Sequence, residues 1–216
     1  DLSASAVDAV VAAGGVAERT RRADPFLAAF TSESDRNHLL TELDHSRAAG
    51  GEVEFELLDA DSLHALAPAL GAPVCAGLRI QGQRFLDPPR FMASLAESVR
   101  VRGGEVVAGY EVTEVRDSGG SVEVVSAAGR RSAADAVVLA TGARLDALAR
   151  PFGVRTRVQA GRGYSFTVRP EEPVDHPVYF PAQRVACAPL HDRLRIAGMM
   201  EFRSPDAPLD PRRITA

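Results

Sequence analysis

The sequence contains no lysine, and all 25 of its basic residues are arginines. This absence excludes a Schiff-base lysine, a P-loop lysine and a lysine general base from the chemistry of this chain. Tryptophan is also absent, and there are only two cysteines, Cys75 and Cys187, which form no C-x-x-C pair. We therefore expect buried, reduced thiols at both positions.

The charge balance and the hydrophobic runs exclude two further classes of protein. The formal net charge is -4 and the arginines are scattered, which argues against binding of nucleic acid. No stretch reaches the roughly 18 apolar residues of a membrane span, and no signal segment opens the chain. We expect a cytoplasmic protein, with a peripheral contact to a membrane left open.

The common sequence motifs of catalytic and cofactor sites are missing. The chain has no G-x-G-x-x-G, H-E-x-x-H, C-x-x-C, P-loop or G-x-S-x-G pattern. His38 and His45 are seven residues apart and have no cysteine or second carboxylate in register, so we interpret them as solvated side chains. No metal site is predicted, and the residues alone indicate only an α/β domain.

One short apolar stretch, residues 134–143, gives the first indication of a ligand site. Asp135 opens a run of apolar and small residues that ends in Thr141 and Gly142. The run is too short for most helices and predicts a buried central strand that leads into a tight turn. Ligands of α/β proteins lie at such strand ends. An ordinary strand with an ordinary glycine turn is the alternative.

The remaining periodicity predicts helices and strands in a mixed order, typical of an α/β (α+β) fold. Helices are predicted over 2–13, 33–49, 61–66, from an Asp87 cap with Pro88 in the first turn, and over 145–149. Strands are predicted over 53–58, 74–80, 105–108, 110–115, 122–125, 154–159, 164–168, 178–180, 184–188 and 194–199. Asp210 and Pro211 are a helix start signal, from which we expect a fragment of a longer protein.

The order of these features resembles a known enzyme family. The features are the Asp87-Pro88 helix with Phe91, a Gly-Gly-Glu-Val-Val segment at 103–107, the strand 110–115, a hairpin, and the stretch 134–142. In this order they are similar to the middle of the FAD-dependent D-amino acid oxidase superfamily. The later segments 162–167, 192–202 and 209–213 resemble its D-amino acid dehydrogenase branch in particular.

The resemblance implies a two-lobed architecture and a set of cofactor contacts. Residues 88–145 would form the middle of an FAD/NAD(P)-binding-type lobe, and residues 1–87 and 146–216 an antiparallel-sheet substrate lobe. The backbone of Val112 would read the adenine of FAD. The Ala140-Thr141-Gly142 turn would pack beside the adenosine and pyrophosphate, where glycine permits close approach of the backbone. A plain core strand residue is the alternative for Val112.

The resemblance also implies the reaction and a substrate pocket, without naming a catalytic residue. The reaction would be hydride transfer from the Cα of an amino acid to flavin, which needs alignment more than a strong acid or base. Tyr164, Met200 and Glu201 are the pocket candidates, with a plain core or rim position as the alternative for each. Arg162 and Arg203 could steer a carboxylate, and ordinary surface charges are the alternative for them. The alternatives are a sarcosine- or glycine-oxidase-like amine oxidase, or a non-catalytic binding domain that has lost its cofactor.

The sequence departs from the family pattern in ways that affect function. The G-x-G-x-x-G turn that holds the pyrophosphate is not found in these 216 residues, and neither is the carboxy-terminal segment with the family's substrate-binding arginine. We therefore expect this chain alone to bind FAD weakly or not at all and to be inactive. Apolar surface left exposed by missing strands would favour self-association.

Overall fold

A computed structural model describes residues 2–156 and 158–213 of the chain. The helices are α1 (Leu2–Ala13), α2 (Glu33–Ala48), α3 (Ala60–Leu66), α4 (Pro88–Val101) and α5 (Leu145–Ala149). The strands are β1 (Arg21–Arg22), β2 (Phe26–Phe30), β3 (Phe55–Asp59), β4 (Ala76–Ile80), β5 (Arg84–Phe85), β6 (Val112–Asp117), β7 (Val122–Ser126), β8 (Arg131–Ala134), β9 (Gly161–Val168), β10 (Val178–Phe180), β11 (Val185–Leu190) and β12 (Arg193–Phe202). The predicted α/β (α+β) fold class is confirmed.

The chain divides into two compact units. The first comprises residues 1–104 and 163–199, and the second comprises residues 105–162 and 200–216. A seven-stranded mixed sheet has the order β3-β4-β2-β10-β11-β12-β9, in which β2 and β10 pair in parallel. A two-stranded ribbon of β1 and β5 accompanies it.

The core of the first unit lies on both faces of β2. Leu27 and Ala29 point to one face, where they pack with Leu63 of α3. Ala28 and Phe30 point to the other face, in the cluster that the apolar side of α2 covers. Successive residues of a strand face opposite sides of a sheet, so a fully apolar strand needs a cover on both. The apolar run Phe-Leu-Ala-Ala-Phe of β2 therefore requires packed side chains on both faces of the sheet.

Local capping chemistry sets the helix starts. The Ser32 side chain accepts a hydrogen bond from the Asp35 backbone amide at the start of α2. The Asp87 side chain caps α4 by accepting from the Arg90 amide, with proline in the first turn. These side chains satisfy amides that have no partner inside a helix. The predicted Asp87 cap is confirmed.

The second unit contains a three-stranded antiparallel sheet in the order β6-β7-β8. β6 and β7 form the predicted hairpin, whose turn is closed by a hydrogen bond from the Ser118 amide to the Ser121 carbonyl. α5 packs against β6. At the end of the described chain, the predicted helix start at Asp210 forms a short 3-10 turn over Pro211–Arg213.

Three strand predictions are wrong in this structure. Residues 135–140 form no strand and make no backbone-to-backbone hydrogen bond within the described chain, and Val138 is 88% exposed. Residues 105–108 also lie outside the strands, as do 154–156 and 158–159. An apolar run becomes a central strand only if neighbouring strands pair with both its edges and helices cover its faces. Among the described residues, none pairs with this stretch.

The cysteines follow the sequence prediction in part. Both thiols are free. Cys187 is half-buried, and burial raises the pKa of its thiol. Cys75, which directly precedes β4, is exposed, so the prediction of a buried thiol is wrong at this position. None of the described helices is long and apolar enough to cross a membrane.

Candidate cofactor and substrate site

Val112 lies at an edge of the second unit's sheet with its backbone polar groups turned outward. The Glu111 carbonyl accepts a hydrogen bond from the Ala127 amide of the neighbouring chain segment, and Val112 stands opposite Ser126. In antiparallel pairing the polar groups of successive residues point to opposite sides. The amide and carbonyl of Val112 therefore face away from β7, toward the free edge of β6, which is an outer strand of this sheet.

The strand around Val112 is held by contacts that the sequence did not indicate. The register shifts between Val112 and Glu114, which is a β-bulge. The Tyr110 hydroxyl lies 3.0 Å from the carbonyl oxygens of Val124 and Arg130, and the Arg130 guanidinium lies 4.7 Å from the centre of its ring. Tyr110 thereby stabilises the segment that leads into β6. This role depends on the hairpin geometry, which the sequence alone does not show.

An ion pair follows the bulge. Arg116 donates from Nε and Nη2 to the two carboxylate oxygens of Glu114, each at 2.7 Å. This bidentate hydrogen bonding holds the pKa of Glu114 below its ordinary value. Both side chains are solvent-exposed, so the pair orders the strand surface more than it stabilises the fold.

The predicted Ala140-Thr141-Gly142 turn is exposed. Gly142 has a φ of +54°, and a Cβ added there would meet no heavy atom within 4 Å. Glycine is thus favoured by the left-handed backbone, while the space in front of the turn is open. The turn leads through a short 3-10 segment into α5, which packs against β6. The structure therefore places this turn and Val112 on connected elements of one unit.

Glu201 is a buried charged residue of the second unit. Its side chain is 4% exposed, and its carboxylate oxygens lie 3.6 Å from Arg162 Nη1 and 3.7 Å from Arg203 Nη1. Carboxylates this buried are rare unless they are paired. Glu201 thus holds two arginines that the sequence indicated as carboxylate-steering candidates.

Most of the recorded hydrogen bonds of Arg162 go to backbone carbonyls of this chain. Its Nη2 donates to the carbonyl of Ala207 at 2.6 Å and to that of Pro205 at 3.4 Å, and its Nη1 donates to Pro208 at 3.2 Å. Arg203 is more exposed, at 41% against 23% for Arg162. Arg162 therefore fastens the loop over residues 205–208 instead of presenting a free guanidinium, and sequence patterns carry no signal for carbonyl partners of this kind.

The three predicted pocket residues differ in their surroundings. Met200 is exposed, and its Cε would lie 3.1 Å from a Cβ added to Gly161, so this glycine makes room for the methionine. Glu201 is buried beside it in the second unit. Tyr164 belongs to the first unit, where it is half-buried on β9. Whether the three line one pocket stays a prediction.

The free strand edge at Val112 can hydrogen-bond a planar base. One strand residue with an outward N–H donor and an outward C=O acceptor can hydrogen-bond the edge of a heterocycle such as adenine. The residues that would hold the adenine side of FAD thus fit that group. His, Cys, Asp and Glu side chains in the described ranges form no group of three placed to hold a metal ion.

Comparisons with known proteins give the family of the chain. The chain is 31% identical over 198 residues to a D-amino acid dehydrogenase of Rhizorhabdus wittichii, covering 89% of this chain and 47% of that protein. It is 34% identical over 190 residues to a D-amino acid dehydrogenase of Cereibacter sphaeroides, covering 85% of this chain and 43% of that protein. The chain therefore spans a little under half the length of these relatives.

A solved structure shows the same fold. The glycine oxidase of Bacillus cereus superposes with a TM-score of 0.76 at 19% identity, covering 98% of this chain and 58% of that one. The family model described as FAD dependent oxidoreductase, DAO, matches residues 4–216. The chain thus belongs to the DAO family of FAD-dependent oxidoreductases.

Proposed function

We propose that this chain is part of a flavoenzyme that oxidises an amino acid, of the D-amino acid dehydrogenase type. The observation that carries the proposal is the 31% to 34% identity to D-amino acid dehydrogenases over 85% to 89% of the chain. FAD, when bound, supplies the acceptor for a hydride from the substrate Cα. Residues 88–145 would belong to the cofactor lobe, and 1–87 and 146–216 to the substrate lobe.

The residues of this chain would bind FAD and the substrate and would orient them for the reaction. The outward amide and carbonyl of Val112 would hydrogen-bond adenine, and the open turn at Ala140, Thr141 and Gly142 would lie beside the adenosine and pyrophosphate. Tyr164, Met200 and Glu201 would contribute to the substrate pocket. Glu201 would act there by holding Arg203, whose exposed guanidinium attracts a carboxylate.

The chain by itself should bind FAD weakly or not at all and be inactive. Its 216 residues contain no G-x-G-x-x-G turn, the element that provides backbone amides to a pyrophosphate. We also propose a cytoplasmic location and a role in amino acid catabolism. The proposal further includes a peripheral membrane contact and self-association through exposed apolar side chains.

Flavin absorbance and a substrate panel test this function. The purified full-length protein should be yellow and should reduce an artificial electron acceptor with D-amino acids, while the 216-residue chain should be colourless. A stoichiometric flavin spectrum from the short chain would overturn the weak-binding inference. A colourless, inactive full-length protein would overturn the enzyme proposal and favour a binding domain without a cofactor.

A second candidate is an amine oxidase that acts on glycine or sarcosine. The glycine oxidase fold, at a TM-score of 0.76, supports this candidate. The same panel separates the two, because turnover of glycine and sarcosine with no turnover of larger D-amino acids would favour the oxidase.

A further inference from the structure

Arg21 in the first unit has an edge of its guanidinium without a partner. Its Nε and Nη2 atoms are shielded from solvent, and neither makes a hydrogen bond to the described residues. Buried polar atoms are nearly always hydrogen-bonded, and a buried charged donor without an acceptor is strongly unfavourable. The arrangement therefore points to an acceptor that the described chain does not provide.

The two atoms without partners belong to one binding edge. Nε–H and one N–H of Nη2 point in parallel, which is the fork that binds the two oxygens of a carboxylate side-on. The same chain shows that fork filled elsewhere: Nε and Nη2 of Arg116 each donate at 2.7 Å to one oxygen of the Glu114 carboxylate. Arg21 presents the same pair of donors without the carboxylate.

An aromatic ring orients the Arg21 guanidinium, and no carboxylate of the described residues bonds to its Nε and Nη2 atoms. Its Cζ lies 4.7 Å from the centre of the Phe85 ring, its partner across the β1–β5 ribbon. Stacking on an aromatic face leaves the edge donors of an arginine free for a planar anion. Two carboxylates of the first unit are engaged by other arginines, since Asp8 pairs with Arg84 at 2.8 Å and Asp24 with Arg79 at 2.7 Å.

We propose that Arg21, stacked on Phe85, binds the carboxylate of a small molecule through its Nε and Nη2 edge. Access requires local opening, because the two atoms are shielded from solvent. The β1–β5 pairing stays intact, since it places Phe85 beneath the guanidinium, so access involves movement of the side chains that cover this edge. This site does not depend on FAD, so it stands or falls independently of the proposed flavoenzyme function.

Nuclear magnetic resonance of the arginine Nε–Hε groups tests the site in the 216-residue chain. The protein is labelled with [15N]arginine and titrated with sodium acetate against sodium chloride at constant ionic strength. The Arg21 resonance, identified by its loss in Arg21→Lys, should shift saturably with acetate. The Arg116 resonance is the matched control and should stay in place, because Glu114 already fills its fork.

Two further measurements decide the chemistry of the site. Phe85→Leu should weaken acetate binding by roughly three- to tenfold, since it removes the aromatic face beneath the guanidinium. If Arg21→Lys does not fold, the Arg21 resonance of the wild-type protein can instead be assigned by triple-resonance experiments. The comparison of wild type with Phe85→Leu then tests the site without Arg21→Lys. An Arg21 resonance that is protected from exchange but unmoved by acetate would mean that the fork is closed by water, and would overturn the proposal. Tighter binding of inorganic phosphate than of acetate would overturn the assignment to a carboxylate.

Discussion

Arg162 Nη1 lies 3.6 Å from a carboxylate oxygen of Glu201, whose side chain is 4% exposed. The same guanidinium donates to the carbonyl oxygens of Pro205, Ala207 and Pro208. One arginine thus joins a buried carboxylate to a surface loop, and the position of that loop depends on the pair.

Replacing Glu201 by glutamine should destabilise the protein. Glu201→Gln removes the charge that compensates Arg162 and Arg203 while keeping the size of the side chain. Removing one partner of a buried pair leaves the other uncompensated, and because Arg162 is partly exposed we expect a loss of about 1–3 kcal/mol in the free energy of unfolding. Urea unfolding measures it.

The matched control for Glu201 is Asp206→Asn. Asp206 lies on the same loop and pairs with Arg144, but both side chains are exposed, at 70% and 62%. Exposed pairs contribute little, so this variant should unfold close to the wild type. Equal losses from the two substitutions would contradict a special role for the buried carboxylate.

Gly77 on β4 should not tolerate even a methyl group. A Cβ there would lie 2.9 Å from Leu63 Cδ2 and 3.2 Å from the Ala28 carbonyl oxygen, both in the packed core. Overpacking of this kind costs about 1–3 kcal/mol in the free energy of unfolding. Urea unfolding of Gly77→Ala checks this. Gly163→Ala is the control on another strand, because its added Cβ meets no heavy atom within 4 Å.

The ion pair of Asp24 with Arg79 should make stability depend on acid pH. A hydrogen bond from the Arg79 side chain holds the pKa of Asp24 below its ordinary value of 3.8. A lowered folded pKa gives stability that is present above the unfolded pKa and lost as the pH falls through the folded value. Because the Asp24 side chain is 70% exposed, the effect should be small: the urea midpoint of wild type should slightly exceed that of Asp24→Asn at about pH 6, and the difference should shrink below about pH 4.

The pH experiment has an internal control. In an Arg79→Gln background the Asp24 carboxyl loses its hydrogen-bond donor, so the further change to asparagine should have little effect at any pH. A difference between wild type and Asp24→Asn that persists unchanged into acid would show that the ion pair is not its cause.

The outward backbone of Val112 gives a test of adenine recognition. Val112→Pro removes an N–H that the register places on the free edge, so the hairpin should survive while FAD affinity of the full-length protein falls on the order of tenfold. Val112→Ala keeps both backbone groups and should bind FAD nearly as well as wild type. Flavin fluorescence titration of the refolded apoprotein measures both.

The hairpin itself needs a separate control. Val124 lies in the middle strand of the sheet, opposite Val115 on one side and Ser132 on the other. Val124→Pro should disrupt this sheet, because a central strand has no free side for proline. If Val112→Pro bound FAD as tightly as wild type, the adenine would not be read by this backbone.

Local patterns predicted the parts of the fold that depend on neighbours in sequence. The Asp87 cap with Pro88, the hairpin that follows β6 and the helix over 145–149 all formed where they were expected. Capping side chains and turn residues act within a few positions, so their effect can be read from the sequence. The order of such features also carried the resemblance to the DAO family, which the family model confirmed.

The tertiary structure decided what depends on residues far apart. The apolar stretch 135–140 has the composition of a buried strand, yet Val138 is exposed because no strand of the described chain pairs with it. Likewise, only the register of β6 against β7 turns the polar groups of Val112 outward, and only the folded loop brings the carbonyl of Ala207 to Arg162. The sequence by itself determined the local elements and the family, whereas pairing partners decided which surfaces are buried, because a strand or an ion pair exists only when a second segment reaches it.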